Sequence, residues 1–338
     1  MKAPFVWFGG KRRVAPEVWA ALGDVPNYIE PFAGSLAVLL GRPHDMGNGT
    51  RRAETVNDAD GFLANFWRAL AHDPEAVAHW CDWPVNEVDL FSRHLWLVNT
   101  GRSRLLEGME ADPDFYDAQV AGWWVWGINA WIGSGWCSGD GPWVDTGDGI
   151  GKLPHLGNAG QGVNRKRPHL GNAGQGVNRQ LPHLGNAGRG VNRQLPHLGN
   201  AGRAGYNNME YRPNVLGYFE ELAGRLRDVR VCCGDWSRVC TSGAMSSGSK
   251  VGVFLDPPYL GDVRTADLYA VDDHTISHAV RDWCLEHGDD PRLRIVLAGY
   301  RAEHDDLMPD TWRRHYYSAS AAYSTTESAA RQDGNHAN

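Results

Sequence analysis

The distribution of apolar positions divides the chain into short strand-like runs and longer helical patterns. The runs lie at residues 28–29, 54–56, 229–233, 251–255 and 293–297. The run at 251–255 is apolar throughout, which is typical of a parallel strand buried on both faces. Helical patterns lie at residues 16–22, 36–40, 61–70, 214–227 and 274–287. This alternation of strand, turn and helix predicts an α/β fold with a doubly wound, mostly parallel, Rossmann-like sheet.

The stretch from about residue 71 to residue 150 has a different pattern, because helical spacing continues there without strands. Helices are predicted around residues 85–107 and 114–132, and the second contains Trp123, Trp124, Trp126 and Trp131. Aromatic residues at helical spacing usually belong to a core, so we expect these four to be buried. Trp136 and Trp143 stand among glycines instead, and we expect them to be exposed for stacking.

From Leu153 the chain repeats itself with a period of 14 residues, in copies that begin at residues 153, 167, 181 and 195. Residues 151–205 contain eight lysines and arginines and no acidic residue. This composition cannot build a core, so an extended loop, a ribbon of turns or a disordered segment is expected. The segment is either a polycationic element that tracks phosphates or a repeat expansion in a tolerant surface loop. Its repeated histidines lack an accompanying cysteine or carboxylate, so we expect no metal.

Composition narrows the class of protein. The chain of 338 residues has a formal net charge of −7, so any basic nucleic-acid surface must be local. The six cysteines show no metal-ligand spacing, which favours reduced thiols. No signal peptide and no apolar stretch of membrane-spanning length are apparent. We expect a cytoplasmic, monomeric protein of prokaryotic or phage type, with no membrane partner and no metal.

The end of the 251–255 run carries the most specific chemistry in the chain. Asp256-Pro257-Pro258-Tyr259 follows the run directly, and open α/β sheets bind ligands beyond the carboxyl ends of their strands. The prolines fix the backbone and remove two donors. The Asp256 carboxylate and the Pro257 carbonyl then form an acceptor-only pocket beside the Tyr259 ring, which suits the amino group of a nucleobase. The alternative is a plain Pro-Pro turn with a solvated aspartate.

Three further acidic residues stand at predicted strand ends: Glu30, Asp58 and Asp235. In doubly wound folds an acidic residue at such a position binds ribose hydroxyl groups. The chain has no Gly-x-Gly-x-x-Gly loop and no Walker-type loop, which disfavours dinucleotides and nucleoside triphosphates. The pattern therefore favours a nucleoside cofactor that carries no phosphates.

The order of these turns resembles the Dam-like, adenine-specific DNA methyltransferases, which use S-adenosylmethionine. Trp7-Phe8-Gly9-Gly10-Lys11 is similar to the family's element beside the methionine part of the cofactor. Glu30-Pro31-Phe32-Ala33-Gly34-Ser35 is similar to its cofactor-binding turn. Asn57-Asp58 resembles the ribose-contacting turn, and Gly234-Asp235-Trp236 resembles the turn beside the cofactor adenine. The resemblance thus implies that Trp7, Gly9, Gly10, Lys11, Glu30, Pro31, Phe32, Gly34, Asp58 and Asp235 bind the cofactor.

The catalytic turn completes the resemblance. Asp256-Pro257-Pro258-Tyr259 matches the family's catalytic motif, so Asp256, Pro257, Pro258 and Tyr259 are implied to be the catalytic residues. A catalytic domain is expected at residues 1–70 and 228–318, and a flexible tail at 319–338. Residues 71–227 form the expected target-recognition insertion, which is largely helical and contains the repeats at 153–204.

The resemblance implies an enzyme that methylates the amino nitrogen of a flipped adenine in double-stranded DNA, as in restriction–modification systems. Two alternatives remain open: a methyltransferase acting on cytosine amino groups, RNA or a protein amide, and a catalytically inactive DNA-binding relative. The chain departs from the family pattern at Leu36, where a second glycine is usual. Its last residues also lack the closing strand pattern of the family.

Overall fold

A computed structural model describes residues 1–7, 11–43, 52–131, 136–137, 143–145, 150–152, 215–246, 250–258, 276–304 and 306–317. The strands are β1 (Asn27–Glu30), β2 (Ala53–Asp58), β3 (Trp143–Asp145), β4 (Ile150–Lys152), β5 (Val229–Cys233), β6 (Val251–Leu255) and β7 (Leu293–Leu297). The first helices are α1 (Ala15–Leu22), α2 (Ala37–Leu40), α3 (Gly61–His72), α4 (Pro74–Cys81) and α5 (Glu87–Trp96). They are followed by α6 (Arg102–Ala111), α7 (Ala118–Ala130), α8 (Val215–Leu226), α9 (Ile276–His287) and α10 (Arg301–His304).

Five of the strands form one parallel sheet in the order β5-β2-β1-β6-β7. The most apolar strand, β6, lies inside this sheet and is buried along its whole length. Helices flank the sheet, as the crossover connections between parallel strands require. The predicted doubly wound, Rossmann-like fold is therefore confirmed. The short strands β3 and β4 pair separately as an antiparallel hairpin.

The tryptophan-rich helix predicted around residues 114–132 is α7, and it packs against α3 and α4. Trp124, Trp126 and Trp131 are buried, as expected, whereas Trp123 is half-buried. The expectation for Trp136 is wrong, because its indole packs on Gly127 and donates to the Trp124 carbonyl at 3.0 Å. A Cβ at position 127 would overlap the Trp136 ring, so the helix glycine creates the seat for this side chain.

The helices on both sides of the repeat segment share one buried cluster. Helix α8 packs against α3 and α4, and its Phe219 joins Trp67 and Trp124 in the cluster that also covers the sheet. The expected boundary of the insertion at residue 71 remains a prediction. The 14-residue repeats at 153–204 and the tail at 319–338 lie outside the described residues. Within the described ranges, no helix has the length and apolar character needed to cross a bilayer.

A buried ion triad attaches α8 to the sheet. Glu54 of β2 accepts from Arg225 at 2.6 and 2.9 Å and from Arg42 at 2.8 Å. Burial acts to raise the pKa of Glu54, but hydrogen bonds and charge from the two arginines outweigh it and hold the pKa below its ordinary value of 4.5. The carboxylate therefore joins the segment that follows the repeats to the segment that precedes them.

We expect Glu54→Gln to lower the free energy of unfolding by about 3 kcal/mol at pH 7, because it leaves the buried guanidinium of Arg42 and the partly buried guanidinium of Arg225 without their shared charge partner. The pKa of Glu54 is lowered in the folded state, so its contribution is present above pH 4.5 and is lost as the pH falls through the lowered folded-state pKa. Urea unfolding at several pH values measures this. Glu286→Gln on the exposed face of α9 is the matched control, and equal losses for both variants would contradict the triad's role.

Candidate active site

The strand order places a crevice between β1 and β6. From β1 the chain moves outward to β2 and β5 on one side, and it then returns to β6 on the other side of β1. Such a reversal of strand order is where open α/β sheets bind their ligands, at the carboxyl ends of the strands. The turn after β1 begins at Pro31, and the turn after β6 begins at Asp256. Both predicted motifs therefore border the same crevice.

Asp256 is held in an ion pair with Lys11. The Lys11 Nζ lies 2.8 Å from the Asp256 Oδ2, and their side chains are 6% and 19% exposed. Burial alone would lower the pKa of Lys11, but the charge of Asp256 and a hydrogen bond to Tyr317 outweigh it, so the pKa of Lys11 is raised. The ammonium thus stays charged beside the carboxylate. The resemblance placed Lys11 on the cofactor side, and sequence reasoning missed its contact with the catalytic turn.

The Asn57 side chain ties together the ends of three strands. Its Nδ2 donates to the Pro31 carbonyl at 3.0 Å and to the Gly234 carbonyl at 2.9 Å, beyond the ends of β1 and β5. The backbone carbonyl of Asn57 also accepts from the Ala33 amide at 2.8 Å. The side chain is buried, and its Oδ1 has no hydrogen-bond partner among the described residues. This acceptor lies near the carboxyl end of β2, beside the turns after β1 and β5.

Asp58 supports the turn after β1. Its Oδ2 accepts from the Gly34 amide and its Oδ1 from the Asp60 amide, both at 2.9 Å. Burial, followed by the charge of Asp60, raises the pKa of Asp58 to about 7. Asp60 in turn caps α3 by accepting from the Phe62 amide at 2.8 Å. Asp58 therefore retains acceptor capacity for a ligand hydroxyl group while it fixes the turn.

Glu30 lies beneath the crevice, buried against the first turn of α2. Its Oε2 accepts from the Tyr28 hydroxyl at 2.9 Å, and the carboxyl group also accepts from the Leu39 backbone. Burial raises the pKa of Glu30 to about 8, and the charge of Asp256 adds to this shift. At neutral pH the group is mostly protonated. These contacts give Glu30 a supporting position at the N-terminus of α2, where it satisfies a backbone donor.

The cofactor-type turn has an unusual backbone at two residues. Gly34 has a φ of 47°, and a Cβ there would lie 2.7 Å from Cδ1 of the Trp7 ring. Its carbonyl accepts from the Trp67 indole at 3.0 Å. Leu36, which replaces the family's second glycine, has a φ of 54° and is fully buried. The turn therefore keeps a glycine-like shape with a leucine, whose burial offsets a left-handed backbone cost of about 1–2 kcal/mol.

Two aromatic rings stack near the ends of β1 and β5. The Phe32 and Trp236 rings lie 6.2 Å apart at an angle of 27°. Asp235 is exposed and accepts from the Ser237 amide at 2.9 Å, and also from the Ser237 hydroxyl, at the start of the short helix Trp236–Val239. Sequence reasoning named Asp235 for a cofactor contact but gave no role to Trp236. The aromatic side chain of Trp236, next to Asp235 in the sequence, was the signal that could have predicted a contact with an aromatic ligand.

The structure thus brings some of the predicted residues into direct contact and leaves others apart. Lys11 pairs with Asp256, whereas Trp7, Gly34 and Asp58 form a second group. Pro257 is buried and Pro258 is half-buried. Gly9, Gly10 and Tyr259 lie outside the described residues. The described part of the chain contains no group of three or more histidine, cysteine or acidic side chains that could hold a metal ion.

The parallel sheet and its flanking helices fit a Rossmann-like methyltransferase fold. Residues 7–87 match the family model of the D12 class N6 adenine-specific DNA methyltransferases. The match confirms the resemblance to Dam-like enzymes and supports an adenine-specific DNA methyltransferase. The match includes the turns at Lys11, Gly34 and Asp58, and the catalytic turn lies beyond it. No curated protein matches the chain significantly.

We expect Gly34→Ala to destabilise the protein more than the same change at Gly23. Both glycines have a positive φ, of 47° and 65°, so each substitution carries a backbone cost of about 1 kcal/mol. Only position 34 adds a clash with Trp7, because a Cβ at position 23 meets nothing within 4 Å. The clash should cost about 1–3 kcal/mol more. Urea unfolding of both variants measures the difference. Equal losses of unfolding free energy would contradict the prediction, because they would mean that the Trp7 ring moves aside at no cost.

Proposed function

We propose that the protein transfers a methyl group from S-adenosylmethionine to the N6 amino group of an adenine flipped out of double-stranded DNA. The observation that carries this proposal is the position of Asp256: the carboxylate stands at the strand-order reversal, held by Lys11 at 2.8 Å. Residues 7–87 supply the other side of the same crevice and match the adenine-specific family. An adenine must leave the base stack before its amino group can reach such a recessed site.

The residues present suit S-adenosylmethionine. The unpartnered Oδ1 of Asn57 and the remaining acceptor capacity of Asp58 fit a ligand that offers hydroxyl groups, such as a ribose. The Phe32 and Trp236 rings suit an adenine ring nearby. Asp58, Asp235 and the side chains of Trp7 and Phe32 are thus the groups that would hold the cofactor. When bound, the cofactor supplies an electrophilic methyl group on a positively charged sulfur.

The protein's own contribution is to direct the lone pair of the adenine amine. That lone pair is delocalised into the ring, so the free amine is a poor nucleophile. The Asp256 carboxylate, held by Lys11, accepts one amine hydrogen. The Pro257 carbonyl accepts the other, at a turn that the two prolines fix and from which they remove the backbone donors. Two fixed acceptors localise the lone pair and orient it, and positioning of this kind supplies much of the rate.

Asp256→Asn tests the acceptor role, because asparagine keeps the size of the side chain and loses the charge. Loss of a preorganised electrostatic contact typically costs about 10²–10³ in turnover, and we expect a fall of at least this size. Binding of S-adenosylmethionine, measured by calorimetry, should stay within about threefold, since the predicted cofactor contacts lie on other strands. Asp306→Asn at an exposed position is the matched control.

Methylation of a DNA substrate by the Asp256→Asn protein at close to the wild-type rate would overturn the proposed function. Sequencing of DNA treated with the wild-type protein, with modified bases identified, distinguishes N6-methyladenine from a methylated cytosine amino group. A methylated cytosine amino group, or methylation of RNA or of a protein amide, would show that the enzyme acts on one of the alternative substrates.

We further propose that residues 71–227 supply target recognition and that the basic repeats add phosphate affinity. Residues 167–194 contain Arg167, Arg179, Arg189 and Arg193. Each arginine that contacts a phosphate contributes about 0.9 to the slope of log affinity against log salt. Deletion of these two copies should therefore flatten the salt dependence of DNA binding. A full-length variant with the four arginines changed to glutamine should give the same slope, and an unchanged slope in both would exclude the role.

A further inference from the structure

The N-terminal segment, residues 1–7, brings Trp7 to the cofactor-type turn, although these residues form neither a helix nor a strand. The Trp7 ring lies against Gly34, where a Cβ would come within 2.7 Å of its Cδ1. Further along the chain, Lys11 pairs with Asp256 at 2.8 Å. The N-terminal segment therefore leads to both sides of the crevice, and its own path must be fixed by contacts with other elements.

The two helices on either side of the repeat segment supply hydrogen bonds to the N-terminal segment. The Asn129 side chain of α7 donates through Nδ2 to the Pro4 carbonyl at 3.1 Å. The Tyr218 hydroxyl of α8 accepts from the Lys2 amide at 3.1 Å and donates to the Lys2 carbonyl at 2.5 Å. These side chains replace the backbone partners that a helix or a strand would provide.

Of these two anchors, Asn129 holds the residue closer in sequence to Trp7. Its side chain is 4% exposed, and its Nδ2 also donates to a carbonyl of its own helix at 2.7 Å. Pro4 is buried as well, so its carbonyl needs a partner within the protein. The next residue, Phe5, packs edge to face on Trp124 of the same helix, with the ring centres 5.1 Å apart. Helix α7 thus sets the point from which the chain reaches Trp7.

A second buried asparagine makes similar contacts elsewhere in the fold. Asn65 of α3 is 1% exposed, accepts from the Asp117 amide at 2.8 Å and donates to the Asp117 carbonyl at 2.9 Å. These hydrogen bonds join α3 to the residue before α7 and do not involve the N-terminal segment. Asn65 therefore provides a comparison of the same side chain, equally buried, in a purely structural contact.

We propose that Asn129 is a positioning residue that fixes the N-terminal segment and so keeps the Trp7 ring in place against the Gly34 turn for cofactor binding. This inference rests on the proposed binding of S-adenosylmethionine at that turn. It gives α7, in the segment expected to recognise DNA, a part in forming the cofactor site. Asn129 needs no contact with the cofactor for this role.

Asn129→Leu keeps the approximate size of the side chain and removes the donor to Pro4. Loss of a group that orients a metal ligand typically costs about 10–100-fold, and we expect a comparable loss of about tenfold in affinity for S-adenosylmethionine by calorimetry. The kcat at saturating cofactor should change less than threefold, since Lys11 keeps its own ion pair with Asp256. Asn65→Leu is the matched control: it should also lower the free energy of unfolding in urea, yet keep cofactor affinity within about threefold.

A double-mutant cycle tests whether Asn129 acts through Trp7. Trp7→Ala removes the ring, so Asn129→Leu/Trp7→Ala should bind S-adenosylmethionine no more weakly than Trp7→Ala alone. Asn129→Ser, whose shorter side chain does not reach Pro4, takes the place of the leucine variant if that variant does not fold.

Full additivity of the two losses would overturn the inference. So would wild-type cofactor affinity in the Asn129 variant, or an equal loss of affinity in Asn65→Leu. If the wild-type protein binds S-adenosylmethionine and Asp256→Asn is inactive, these failures leave the proposed function standing. A wild-type protein that does not bind S-adenosylmethionine defeats both.

Discussion

The hydrogen bonds of the Asn57 amide hold the crevice in shape. One NH₂ group joins the turn after β1 to the turn after β5, from a position at the end of the strand between them. The Pro31 and Gly234 carbonyls lie past the ends of β1 and β5, where the hydrogen bonds between strands stop. The buried Asn57 amide supplies their hydrogen bonds instead. The Gly234 amide also donates to the Asp58 carbonyl at 3.0 Å. Cofactor-type turns from three strands are therefore fixed relative to one another before any ligand binds.

The carboxyl groups around this frame divide into supporting and chemical roles through their surroundings. Glu30 and Asp58 lack a paired cation in the described contacts, and burial raises the pKa of each, to about 8 and about 7. Asp256 instead has the Lys11 ammonium at 2.8 Å. Burial thus favours the uncharged forms of Glu30 and Asp58, whereas Asp256 is paired with a cation. This is the distribution expected where one carboxylate must attract an amine hydrogen and the others must maintain backbone geometry.

The sequence predicted the strands, their parallel arrangement and the location of Asp256, because buried parallel strands leave apolar runs that end in turn residues. It did not predict the partners of those residues. The Lys11–Asp256 pair joins positions 245 residues apart, and only strand order brings them together. Trp136 stands among glycines, which favoured exposure, yet Gly127 leaves a seat for its ring. The packing of Trp136 depends on the missing side chain of a glycine in another element, and the local pattern of apolar residues does not reveal this.

The anchoring of α7 and α8 explains how the segment between them can tolerate repeated copies. Helix α7 is fixed by its packing on α3 and α4, and α8 is fixed by the same two helices and by Arg225 on Glu54. The chain therefore leaves one buried cluster at the end of α7 and re-enters the same cluster at α8. For a fully flexible loop, each doubling of the loop length adds only about 0.6 kcal/mol to the entropic cost of bringing its ends together. We therefore expect that copies of 14 residues can be added or lost while Asn57, Lys11 and Asp256 keep their contacts, since those contacts are made by other elements.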